Sequence, residues 1–108
     1  MTVEELCKVC ELNPIYMADP TAQVCGAYAC DLLSWVIGRA PEKAALVTVM
    51  TNVNVIAVAV MADLSCVILC EGVSPDDAAL QKAKEQGVTV LSSEQPVYET
   101  CKRLGAVL

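Results

Sequence analysis

The eight residues Val55–Ala62 read Val-Ile-Ala-Val-Ala-Val-Met-Ala, without one polar side chain. At helical period such a run has no polar face, and a helix that is apolar all round must be covered on every side. A bilayer is one cover, but spanning it takes about 20 mostly apolar residues. Thr48, Thr51, Asn52 and Asn54 precede the run and cut it short, so no membrane span is expected. The remaining cover is protein, supplied by this chain or by a second copy.

How much cover one copy can supply depends on its size. The chain has 108 residues and 11.4 kDa, enough for one domain, taken as residues 1–108. At that mass the folded surface should be about 5,800 Å² against about 16,500 Å² unfolded. Hydrophobic residues make up 56% of the chain, led by 16 Val and 14 Ala, with no Phe. That content excludes disorder and exceeds what a small domain readily hides. The net charge of −6 and the scattered placement of seven bases argue against nucleic acid and against anionic membrane surfaces. Met1-Thr2-Val3-Glu4-Glu5 has no basic lead into an apolar stretch, so no secretory signal is read. With seven Cys and no signal, the reducing cytoplasm is the expected location.

Caps and periods divide the chain. Thr2 with Glu5 three residues later forms a capping box that opens a helix running to Cys10, closed by Asn13-Pro14. Short strands are expected at 14–18 and 23–28, either side of Asp19-Pro20. Asp31 is expected to cap a helix from Leu32 to Ile37, stopped by Gly38 and Pro41. A strand follows over Ala44–Met50, then a helix from Val53 to Ala62 capped by Asn52. Ser65–Cys70 is a second buried strand. Ser74 is expected to cap the next helix, with Pro75 at its first position, Asp76 and Asp77 in its first turn and Gly87 at its end. Val88–Leu91 is a third strand, and Ser93 is expected to cap a last helix whose stripe is Val97, Cys101 and Leu104. Strand and helix in alternation, joined by short turns, define βαβ crossovers and a mainly parallel sheet of about five strands in a three-layer α/β/α domain. Strands covered on both faces read as continuous apolar runs, which accounts for most of the Val excess. The helix at 53–62 is not accounted for, and Val53, Val55, Ile56, Val58, Ala59 and Val60 are assigned to a homodimer interface.

Reactive groups are few. There is no His, which removes the usual general base near neutral pH and every Ser–His or Cys–His arrangement. Neither GxGxxG nor GxxxxGK[ST] occurs, so no dinucleotide or P-loop cradle is present. Cys7 and Cys10 share a helical face and make half of a thiolate metal or redox site; Cys25 and Cys30 complete it only if the fold brings them there. Cys66 and Cys70, about 13 Å apart along a strand, cannot share an ion. The alternative for all of them is burial as small hydrophobes, and no metal or cofactor is expected.

Position offers one further clue. In parallel α/β sheets ligands bind beyond the carboxyl ends of the strands, at helix N-termini. The turns there hold Thr51, Asn52 and Asn54, then Glu71 and Gly72, then Ser92 and Ser93. These seven are the candidate ligand-binding residues, suited to a neutral or mixed-charge metabolite, because Glu71 and Glu94 with no neighbouring base oppose a highly charged phosphate. Capping alone would also select Asn52, Ser74 and Ser93.

The stretch Leu64-Ser-Cys-Val-Ile-Leu-Cys-Glu-Gly-Val-Ser-Pro-Asp76, continued by Ala83-Lys-Glu-Gln-Gly-Val-Thr-Val-Leu-Ser-Ser93, resembles the DRTGG-domain family and the related N-terminal domain of HPr kinase/phosphorylase. Gly26-Ala-Tyr-Ala-Cys-Asp-Leu-Leu-Ser34 resembles a segment of its short, stand-alone members. The resemblance implies a three-layer α/β domain that serves as a regulatory or dimerisation module beside others, such as CBS pairs or acyltransferases. It carries no catalytic residues, and it does not support a serine kinase activity, because the kinase relatives hold their P-loop in a separate domain. The Asp-Arg-Thr-Gly-Gly string is itself missing; the corresponding loop reads Met50-Thr-Asn-Val-Asn54. The expected function is a non-catalytic regulatory module, homodimeric, binding a partner protein or a small effector. The alternatives are a metabolite or nucleotide sensor and, more remotely, the cysteine site.

Overall fold

The three apolar runs become the central strands of one sheet in a computed structural model that describes all 108 residues. Elements follow in the order α1 (Val3–Cys10), β1 (Asn13–Tyr16), β2 (Gly26–Ala29), α2 (Leu33–Arg39), β3 (Ala44–Thr48), α3 (Val53–Met61), β4 (Cys66–Leu69), α4 (Asp77–Gln86), β5 (Val90–Ser92) and α5 (Val97–Gly105). The strands lie in the order β1-β5-β4-β3-β2. All pairs are parallel except β1 with β5. Pro14, which has no N–H to donate, sits on the edge strand β1 beside a register irregularity, where the ladder tolerates it.

Period-two alternation sorts the core. Ala45, Val47, Cys66, Ile68 and Leu91 face the layer that includes Leu6 and Leu104, from α1 and α5. Leu46, Val67, Leu69 and Val90 face Val36, Ile56 and Ala79, from α2, α3 and α4. Both faces of β3 and β4 are therefore buried, as parallel strands require. The surface comes to 5363 Å², close to the expectation from mass. No helix is long and apolar enough to cross a membrane.

Several boundaries differ from the sequence reading, each for a local reason. β2 begins at Gly26 rather than 23, because Val24 donates its N–H to Met1 O and Gln23 bridges Thr2. β3 ends at Thr48, whose hydroxyl bends the chain by accepting Met50 N–H at 3.2 Å. Three caps are corrected. Asp31 does not cap α2, which begins at Leu33 after Leu32 with no side-chain cap. Ser74 does not cap α4; Asp76 does, accepting Ala79 N–H at 2.7 Å. Ser93 does not cap α5, which starts after Pro96. The capping box at Thr2 and Glu5 and the Asn52 cap of α3 form as read.

The α3 helix is less enclosed than its composition demands. Val55, Ile56, Val58 and Ala59 are buried inside the single chain, so four of the six residues assigned to an interface already belong to its own core. Val53 and Val60 remain exposed, joined by Met61 at 66%.

Candidate functional site

The turns at the carboxyl ends of β3, β4 and β5 are brought together, and they are bonded chiefly to one another. Thr51 O accepts Asp76 N–H at 3.0 Å, which closes the β3–α3 turn onto the start of α4. Asn52 Oδ1 accepts Asn54 N–H at 3.0 Å, so its side-chain carbonyl serves as the cap. Glu71 and Gly72 donate their N–H groups to Gln95 O at 2.9 Å and Ser93 O at 3.0 Å, while Ser93 N–H reaches Leu69 O at 2.8 Å. Glu71 and Gly72 are consecutively left-handed, at φ 64° and 68°. This double reversal turns two N–H groups toward the β5 turn, and glycine at the second position leaves room for Glu94, whose Oε2 would lie 2.9 Å from any added Cβ.

Ser93 is enclosed at 3% exposure. Its hydroxyl shares a 2.8 Å bond with Thr100 Oγ1 and accepts Gln95 N–H, while Thr100 donates to Pro96 O at 3.0 Å. Ser92 reaches across to Asn13 O at 3.4 Å. Ser93 thus braces α5 and is closed to a ligand, whereas Thr51, Asn52, Asn54, Glu71, Gly72 and Ser92 retain some exposure. None of the three concavities in the molecule is lined by any of the seven.

One residue of this region escaped the sequence reading. Asp31, taken for a helix cap, accepts the Thr48 hydroxyl at 2.6 Å and Val49 N–H at 3.2 Å, joining the end of β2 to the end of β3. The available signal was Thr48 itself, a hydroxyl closing an apolar run and therefore needing a partner once buried. The strand-end turns and helix starts also carry Glu71, Asp76, Asp77 and Glu94 and hold no Lys or Arg. By contrast the last turns of α2, α4 and α5 hold Arg39, Lys84, Lys102 and Arg103.

The thiols tell a similar story of enclosure. Cys7, Cys10, Cys66 and Cys70 are buried, and burial is the first cause that raises each thiol. Cys66, between the layers, is pushed up to about 12 by burial and then by neighbouring Cys7. A metal binds thiolate, so burial works against the ligand form at Cys7 and Cys10. Cys25 and Cys30 turn instead to backbone oxygens of Glu42 and Leu32. No group of three or more His, Cys, Asp or Glu side chains converges where it could hold a metal ion.

These features define a class, a three-layer α/β/α domain whose strand-end turns are bonded mainly to one another. The chain belongs to the DRTGG domain family, whose model matches residues 25–107. Among solved structures it is similar to the CBS and DRTGG domains of the regulatory region of Clostridium perfringens pyrophosphatase, determined with the activator diadenosine tetraphosphate. The identity is 13% and the TM-score 0.71, over 95% of this chain and 45% of that one, a likeness of fold. Among curated proteins none is significantly similar in sequence.

Proposed function

We propose that the chain is a non-catalytic regulatory module that acts as a homodimer and binds a partner protein or a small effector. The observation that carries this reading is the apolar surface left on one helical layer. Leu32, Trp35, Ile37, Val53, Val60 and Met61 are all exposed, on or beside the packed helices α2 and α3. Scattered apolar residues are normal on any surface, but six large ones on one layer exceed what scatter requires and favour association. The absence of His and the raised thiols support a role without catalysis.

Sedimentation equilibrium at micromolar concentration tests it. The wild type should run at twice 11.4 kDa, and Val60→Glu with Met61→Glu should return it to monomer with unchanged circular dichroism, since both side chains are exposed. A wild-type monomer would remove the main support.

The alternative, a nucleotide or metabolite sensor, is favoured by the activator bound to the Clostridium perfringens regulatory region. Against it stand the carboxylates around the strand-end turns, which oppose a polyphosphate. A thermal shift with diadenosine tetraphosphate, lost in Asn52→Ala, would favour the sensor.

A further inference from the structure

A cavity of about 370 Å³ opens at the opposite end of the sheet, where the parallel strands begin. That volume falls at the small end of the range for small-molecule sites. Its wall includes Asp19, Gln23, Lys43, Ser65 and Thr89, with Leu64 among its few apolar members.

These groups keep hydrogen-bonding capacity that the protein does not use. Lys43 Nζ gives one proton to Asp63 Oδ1 at 2.9 Å, leaving two. Asp19 Oδ1 accepts the N–H and hydroxyl of Thr21 at 3.0 and 2.8 Å, while Oδ2 has no partner. The Ser65 hydroxyl lies near both Gln23 O and Lys43 O and donates to one at a time. Thr89 is the most telling. It is 3% exposed, its oxygen accepts Ala18 N–H at 3.0 Å, and its own proton meets no protein acceptor. The hydroxyl has that one partner, and no buried side-chain polar atom is left without one, so its proton stays free for an acceptor that enters the cavity.

Lys43 is also held in place. Its backbone is left-handed at φ 62°, pinned by its N–H to Asp63 O at 2.8 Å and by Cys25 N–H to its own carbonyl at 3.0 Å. We infer that this cavity binds a small zwitterion of the free α-amino acid type. Its carboxylate meets Lys43 Nζ and the Thr89 hydroxyl, and its ammonium meets Asp19 Oδ2 and a backbone carbonyl. A phosphate ester would find one base among Asp19 and Asp63, and an apolar ligand would leave the polar wall unpaired. The site involves neither α2 nor α3, so it stands whether or not the chain dimerises.

Titration of ¹⁵N-labelled protein with pools of free amino acids, followed by amide correlation spectra, tests the inference. At least one pool should give saturable shifts at Ala18, Gln23 and Thr89. The N-acetyl and carboxamide forms of the active amino acid should each bind more than about tenfold more weakly. Asp19→Asn and Lys43→Asn should weaken binding similarly; both side chains are polar replacements, and asparagine tolerates the left-handed backbone, so dispersed spectra will verify folding. No saturable shift with any pool, shifts confined to another region, or equal binding of the N-acetyl form would overturn it.

Discussion

The Asp31 carboxylate accepts the Thr48 hydroxyl proton at 2.6 Å and so fastens the edge strand β2 to the strand beside it. The bond also satisfies Thr48, which is fully buried. Thr48→Val keeps the shape and removes the donor, and is expected to cost about 1–3 kcal/mol, as for a hydrogen bond to a charged group. Urea unfolding checks it. Asp31→Ala with Thr48→Val should cost less than the sum of the two single changes, because they remove one shared bond.

Gly72 and Gly87 have the same φ of 68° but different surroundings. Gly87 ends α4 in open space, so Gly87→Ala should cost only the left-handed backbone, about 1 kcal/mol. Gly72→Ala adds a contact at 2.9 Å with Glu94 Oε2, the free end of an exposed side chain that can swing aside, and should cost only slightly more. The excess should vanish when Glu94→Ala is combined with it, leaving the backbone part. Thermal unfolding of the four variants gives the comparison.

Ile68 and Leu69 are adjacent on β4 and buried on opposite faces of the sheet. Truncation of either to Ala should cost about 2–5 kcal/mol, against a total stability of about 5–15 kcal/mol for a domain. Equal losses in denaturant unfolding would show both helical layers to be packed alike.

The thiols predict an alkaline limit. Burial holds Cys66 at about 12, above its ordinary value of 9.0, so above pH 9 the unfolded chain loses a proton that the folded chain keeps. The resulting stability is fully present below pH 9 and declines as pH rises toward 12, by up to about 1.4 kcal/mol per pH unit from this one group. Cys7, Cys10, Cys70 and Cys101 are shifted in the same direction. Cys66→Ala should make the decline shallower. Iodoacetamide near pH 8 should modify exposed Cys25 well before Cys66, and rapid labelling of Cys66 in the native state would contradict this enclosure.

What the sequence disclosed followed how local each feature is. Ala44–Thr48 and Cys66–Leu69 were legible because two-sided burial writes itself as an unbroken apolar run, and Thr2 with Glu5 because a capping box is complete within four residues. Asp31 and Ser93 were misread because each looks like a cap in isolation. Their partners, Thr48 and Thr100, are chosen by packing. Helix α3 was half legible: hydropathy foretold its burial, but only the sheet decides which side is covered. The cavity at Lys43 and Thr89 left no trace, since its walls come from four separate stretches of chain, 19–23, 43, 64–65 and 87–89.

The placement of charge at the ends of the helices has a consequence for the helices themselves. The crossovers make α2, α3 and α4 run side by side in one direction on one face of the sheet, so their backbone dipoles are aligned, and aligned neighbours repel. Asp76 and Asp77 at the head of α4, with Arg39 and Lys84 at the tails of α2 and α4, set side-chain charge against backbone charge. The acidic end is thus a counterweight that lets parallel helices lie together, and added salt acts on it twice, screening the repulsion and its remedy alike.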